Sequence, residues 1–548
     1  MARPGFLWMY RRIGPMPALL FGSFALAVLG YLFHDLRVNP QADTQMITNA
    51  FQLLQSVREG TLGDFLLTVR KYPLFPALIF TFAYGLFFVV LLGTGIASST
   101  ADLERFIFLD AAPLNLIGRT ICLLAAIGTL VVLVRIARLL KMPRPITAAL
   151  LLAASPLFLV FAAALRPHIL VTFWTVLALY GSLLLRERRS IPRMILAFGS
   201  ALAAFCTLQN GLLALIFPLW AFFTPLLPQE ERRGEGDVPE EKCVKLPGGK
   251  TFWKRLVDRT FILAIFFFLI GSAMIGYPFL WNIVLGKSLS LGFDLGHNFI
   301  PDQPKWTGEG LIVIAKTFFS GELILTIFAA LGLYGVVRRK ENLGGAALPV
   351  TLYTVLYLLL FGLYSGPAPR FFIAVLPFFA LIGGSVLAKA PRSVFIIFYI
   401  VALLIHAKFF LLTTRRNTYQ QTRTYIENET EGAIATDIPH YLLGIPPTRG
   451  SIASPKMARE TFYLTLDHDL PGARPMLPLN QSEHADVVAV YASTRFTPPS
   501  GWTLCKSIVA SPTSNETMFL WTEAVENGLF YVWEAKTLGP NILIFCKS

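Results

Sequence analysis

Residues 71–97 read KYPLFPALIFTFAYGLFFVVLLGTGIA, an apolar run long enough to cross a bilayer, with no charged residue after Lys71. Whether the run at 74–97 crosses decides the side on which everything after it lies. Other apolar runs near spanning length recur at 17–33, 116–134, 146–165, 168–185, 193–209, 211–227, 260–284, 313–337, 346–364, 371–388 and 393–412. Suppose the N-terminus is inside and every run crosses. Arg135/Arg138/Lys141/Arg144, Arg186/Arg188/Arg189 and the charged loop 228–258 then face outward, against the bias that keeps Lys and Arg inside. If 74–97 instead re-enters or lies along the outer surface, those loops turn inward, together with Arg338/Arg339/Lys340 and Lys389/Arg392. A single change repairs them all. The expected fold is an all-α polytopic membrane bundle of about eleven spanning helices plus a re-entrant or surface helix.

Composition agrees. The 548 residues are 55% hydrophobic and 15% charged, with a mean hydropathy of +0.60. A soluble domain is about 25% charged, so this much apolar surface calls for lipid. A net charge of +14 suits nucleic-acid binding only when Lys and Arg cluster on a soluble face. Here they sit in short stretches between apolar runs, which excludes nucleic acid and leaves membrane lipids as the surroundings. Arg11 and Arg12 precede the run at 17–33 as in a secretory signal, but Leu32-Phe33-His34-Asp35 offers no small-residue cleavage site. The segment reads as an uncleaved anchor with a cytoplasmic N-terminus. Cys122 and Cys206 lie in apolar runs and Cys243 in a charged loop, while Cys505 and Cys546 share the tail, either paired or as free thiols. There is no CxxC or HExxH motif.

Parity divides the chain into a membrane domain, 1–413, and an extracytoplasmic soluble domain, 414–548. Stretches at 432–438, 485–492, 503–510 and 517–522 alternate with turn residues, so the tail reads as a small α+β domain. It contains sequons at Asn428, Asn480 and Asn515. The first outer loop, 34–73, carries Asp35, Asp43 and an amphipathic helix over Thr44–Val57. A carboxylate held at the membrane surface can act as general base on an acceptor hydroxyl. Asp43 is placed for that role, although its spacing alone suits better the N-cap of the following helix; Asp35 lies almost at the membrane end. Arg166-Pro167-His168 falls between two runs at the outer side, and Arg370 follows Pro369 at another outer end. Arginines there either snorkel or bind an anionic headgroup or phosphate, and His168 either lies at the interface or hydrogen-bonds a substrate. Lys287 and His297, in the outer loop 286–310, are further candidates.

Several segments together carry a resemblance. They are Asp43-Thr44-Gln45-Met46 with Ala50 and Gly60; Lys71-Tyr72-Pro73-Leu74-Phe75-Pro76; and Asn115-Leu116-Ile117-Gly118-Arg119 through Arg135-Ile136-Ala137-Arg138. Ser155-Pro156 through Arg166-Pro167-His168, and Arg370-Phe371-Phe372 to Leu376-Pro377, complete the set. Spanning residues 10–390, this order resembles the GT-C superfamily of membrane glycosyltransferases, in the branch of protein O-mannosyltransferases and lipid A aminoarabinose transferases. The resemblance implies an inverting transfer of a sugar from a polyprenyl- or dolichyl-phosphate carrier to an acceptor lipid, glycan or protein. It makes Asp43 the base, gives the donor phosphate to Arg370, and leaves a divalent cation open as cofactor. Two positions depart from the pattern. His168 stands where relatives often carry Asp, and Leu208-Gln209-Asn210-Gly211 stands where they often carry Lys. Competing readings are a lipid-linked saccharide transporter or flippase, and a catalytically inactive relative acting in envelope assembly. Against transport, no internal repeat is visible and few charges lie within the runs. A bacterial inner membrane is the expected compartment, with the endoplasmic reticulum as the alternative.

Overall fold

The computed structural model describes residues 15–33, 44–63, 66, 73–99, 102–103, 112–224, 259–278, 306–339, 345–364, 367–451, 468–510 and 533–547. Every apolar run contains helix. The chain forms α1 (Pro15–Phe33), amphipathic α2 (Thr44–Glu59), α3 (Leu74–Gly93), α4 (Ala112–Leu139), α5 (Ile146–Ala153), α6 (Pro156–Phe161), α7 (Pro167–Glu187) and α8 (Ile191–Thr207). A 3-10 segment, Gln209–Leu215, leads into α9 (Ile216–Phe223). After it come α10 (Arg259–Gly271), α11 (Gly310–Lys316), α12 (Leu323–Arg339) and α13 (Ala347–Leu363). A second 3-10 segment, Pro369–Val375, opens α14 (Leu376–Leu387), and α15 (Arg392–Thr414) follows. Among the described residues seven helices are long and apolar enough to cross a membrane singly, and the bent pair α11–α12 makes eight. Three shorter apolar helices accompany them.

Two of these runs, 146–165 and 313–337, are broken. Pro156 lacks an N–H and crowds the preceding turn, so the run at 146–165 splits into α5 and α6. The Ser155 hydroxyl caps α6, accepting from the Phe158 N–H at 3.1 Å. Leu157 N–H and the Ser155 hydroxyl both donate to the Glu322 carboxylate, at 2.7 and 2.9 Å. Glu322 itself sits at the 104° bend between α11 and α12. The two breaks brace each other, which satisfies backbone groups that lipid cannot. Close approach does the rest: a Cβ at Gly384 of α14 would lie 2.7 Å from the Ala148 backbone of α5.

Contacts at helix ends sort the elements. The carbonyls of Tyr31 and Leu32, closing α1, each accept from Arg119 near the start of α4, at 3.2 Å. At the far end of both helices, Pro17, Val134 and Arg138 line one cavity. The chain therefore leaves α1 and re-enters α4 at one end of the bundle, and α3, between them, adds no net crossing. Its depth agrees. Phe75 packs on Trp174 at 6.2 Å between ring centroids, while the neighbouring Phe173 lies against Gly128, halfway along α4. Tyr84, at the middle of α3, has already reached Gly118 near the start of α4. So α3 starts deep and rises toward the end that holds Arg119, the course of a re-entrant helix, one of the two alternatives expected for it.

The bent pair does cross: Gly308 N–H bonds the Leu363 carbonyl at 3.1 Å, and Gly345, beyond α12, lies against Arg186 at the other end. Arg138, Arg144, Arg186 and Arg392 collect at that other end, called here the arginine-rich end. The basic loop 228–258 lies outside the described residues. α15 finishes against Gly30, so the tail hangs from the end that holds Arg119.

The tail contains α16 (Thr418–Glu429), opened by a capping box of Asn417 and Gln420. Its sheet has the order β2-β1-β3-β5-β4, from β1 (Ile434–Thr436), β2 (Met476–Leu477), β3 (Val487–Tyr491), β4 (Trp502–Ile508) and β5 (Ile542–Lys547). β1 runs parallel to β2 and β3, whereas β5 is antiparallel to β3 and β4. Three expected strands are β1, β3 and β4; the stretch at 517–522 and the sequon at Asn515 lie outside the described residues. β5 was missed because Ile542-Leu543-Ile544-Phe545 is apolar throughout, the pattern of a strand flanked on both edges rather than of an alternating one. Cys505, at the β-bulge of β4, forms a disulfide with Cys546 of β5.

Candidate functional site

Arg166 and His168 stand at the start of α7, turned there by Pro167 at its first position, where no N–H is required. Pro369 does the same for the 3-10 segment that carries Arg370. The fold brings these distant segments together. The Arg370 guanidinium lies 5.2 Å from the centre of the Phe371 ring, and the His168 ring lies 5.4 Å from the same ring. Arg370 and Arg166 are the charged groups that act on His168. His168 is 3% exposed, and neither ring nitrogen has a hydrogen-bond partner among the described residues. Arg119, 2% exposed, adds a third guanidinium beside Tyr31, at 5.4 Å, and Tyr31 also feels Arg166.

A buried imidazole without hydrogen-bond partners costs about 1–3 kcal/mol. Such a cluster gains when an anion enters. Its donors are fixed in advance by packing, the condition under which they act most strongly on a developing negative charge. Among the described residues no group of three or more His, Cys, Asp and Glu converges, so none of them forms a site for the divalent cation that the resemblance left open.

The second wall comes from the segment where Lys was expected by resemblance. Asn210 donates to the Tyr357 hydroxyl at 2.5 Å, and that hydroxyl donates to the Phe371 carbonyl at 2.7 Å. Gly211 makes this possible, since a Cβ there would collide with the Ala204 carbonyl as the chain folds back on α8. A neutral chain of hydrogen bonds thus fixes the backbone next to Arg370.

On the third side α2 leans on α3. Thr81 donates to the Ala50 carbonyl at 3.2 Å, and Phe51 stacks on Tyr84 at 6.1 Å. Tyr84 in turn reaches Gly118, one turn from Cys122, whose thiol contacts the Arg166 carbonyl at 3.8 Å. α2, which follows Asp43 directly, is therefore linked by contacts to the cationic cluster. Asp43, Asp35, Lys287 and His297 themselves lie outside the described residues. Arg119, Asn210, Tyr357 and Glu322 were not read as functional candidates. Arg119 and Glu322 carried a usable signal, a charge inside an apolar run; Asn210 and Tyr357 carried none.

No protein-family model matches the chain, and no curated protein matches its sequence. Among solved structures, the chain is similar to ArnT from Cupriavidus metallidurans bound to undecaprenyl phosphate. The identity is 11% and the TM-score 0.49, over 86% of this chain and 92% of that one. It is also similar to the archaeal oligosaccharyltransferase AglB from Archaeoglobus fulgidus, in complex with an inhibitory peptide and a dolichol-phosphate. There the identity is 14% and the TM-score 0.39, over 88% of this chain and 70% of that one.

Proposed function

We propose that this chain is a membrane glycosyltransferase that moves a sugar from a polyprenyl-phosphate carrier to an acceptor lipid, glycan or protein at the extracytoplasmic face. The observation that carries the reading is the meeting of Arg166, buried His168 and Arg370 at the bundle end opposite the basic loops. A polyprenyl phosphate suits that place: its tail lies in lipid and its phosphate reaches the guanidinium groups. In this reading the membrane domain is 1–413 and the extracytoplasmic domain 414–548, with the arginine-rich end cytoplasmic and a bacterial inner membrane as the compartment.

The transfer is a single displacement. Asp43, with Asp35 nearby in the chain, takes the proton of the acceptor hydroxyl as its oxygen bonds the anomeric carbon. The bond from that carbon to the phosphate oxygen breaks, and polyprenyl phosphate leaves with inversion at the sugar. Arg370, Arg166 and Lys287 stabilise the charge that grows on the leaving phosphate, while His168 and His297 contact the acceptor.

Asp43→Asn keeps size and capping ability while removing the base. In reconstituted vesicles it is expected to lower transfer by about 10²–10⁴-fold and to leave undecaprenyl phosphate binding intact. Arg370→Ala is expected to weaken that binding. If both variants transfer sugar at the wild-type rate, the enzyme reading fails. Flux of a lipid-linked saccharide that persists in Asp43→Asn would identify a flippase instead.

A further inference from the structure

At the arginine-rich end a cavity of about 550 Å³ opens between the start of α1, the end of α4 and the starts of α5 and α15. Its rim carries Arg138, Arg144 and Arg392, all exposed, and no acidic residue lines it. Its walls are apolar: Val134 and Leu150 lie a turn inside their helices, and Phe395 and Tyr399 face them. The Arg144 guanidinium rests 5.0 Å from the centre of the Phe395 ring. Among the described residues no carboxylate pairs with any of the three arginines.

We propose that this cavity binds one anionic phospholipid of the adjacent leaflet, its phosphate held by Arg138, Arg144 and Arg392 and its first acyl methylenes against Val134, Leu150 and Phe395. Three guanidinium groups around one opening match a phosphate diester, to which arginine offers paired donors. A free anion would use the rim and leave the apolar depth unfilled, whereas a lipid uses both. The chain's own first fourteen residues do not suit the cavity, since they contain Arg3, Arg11 and Arg12 and no acidic residue. The lipid would touch four helices at once and clamp the end of the bundle opposite His168. The inference is independent of the glycosyltransferase reading.

Native mass spectrometry of the full chain in detergent, titrated with phosphatidylglycerol, phosphatidylcholine or inorganic phosphate, tests it. Phosphatidylglycerol is expected to bind well above phosphatidylcholine and to resist millimolar phosphate. At about 1 kcal/mol per basic residue, the triple variant Arg138→Gln, Arg144→Gln, Arg392→Gln should bind about a hundredfold more weakly. Arg392→Gln alone, at an exposed position, should cost about fivefold and guards against misfolding of the triple variant. Arg135→Gln, Arg188→Gln, Arg338→Gln removes as much charge from the same face outside the cavity, and should leave binding intact. Equal loss in that control, equal binding of phosphatidylcholine, or displacement by inorganic phosphate would each overturn the proposal.

Discussion

His168 is the residue whose surroundings say most about use. It is almost fully buried and flanked by two guanidinium groups, and its ring nitrogens meet no partner among the described residues. A side chain kept for packing alone would be better replaced by an aromatic hydrocarbon against Phe371. His168→Phe is therefore expected to raise stability by about 1–2 kcal/mol, read as a higher melting midpoint in detergent, while sugar transfer falls. A variant that loses stability and keeps full activity would reduce His168 to a packing residue. Arg166, His168 and Arg370 were legible in the sequence because polar side chains at the ends of apolar runs stand out. Asn210 and Tyr357 were not, because their hydrogen bond joins segments far apart in the chain and neither is unusual in its own neighbourhood.

At the scale of elements, the breaks matter more than the helices. Pro156 made one break predictable, yet the partner of the freed Leu157 N–H, the Glu322 carboxylate, lies on another broken unit. Glu322→Leu removes the acceptor of two buried donors and is expected to cost about 1–3 kcal/mol for each donor left unmatched. Glu322→Gln retains an acceptor oxygen and should melt close to the wild type. Thermal unfolding followed by loss of monomer in size-exclusion chromatography separates the two. Equal melting of both variants would show that the brace contributes nothing. Apolar content alone could not reveal this, since it reports which residues avoid water and says nothing of where a freed backbone donor finds its acceptor.

For the whole molecule, the decisive question is the side on which each loop lies. Geometry answers it in relative terms: α1 ends where α4 begins, so α3 enters and leaves at one end. In a Cys243→Ser background, Val57→Cys and Ile96→Cys are expected to react with an impermeant maleimide from the same side, and Arg188→Cys only from the other. Labelling of Ile96→Cys from the side of Arg188→Cys would make α3 a true crossing and reverse the orientation of every later element.

The twelve apolar runs and the placement of the basic loops follow from the chain alone, because hydropathy and charge act locally and the bilayer imposes one length scale on both. That 74–97 adds no net crossing is among these: counting charges on each side already required it, whether the run re-enters or lies along the surface. What only the tertiary structure decided is which distant residues share a space. Examples are the meeting of Arg166, His168 and Arg370, the brace between Ser155 and Glu322, and the cavity among Arg138, Arg144 and Arg392. Each depends on how helices rotate and stack against one another, and that is set by close contacts such as Gly384 on Ala148. Packing of this kind has no one-dimensional signature.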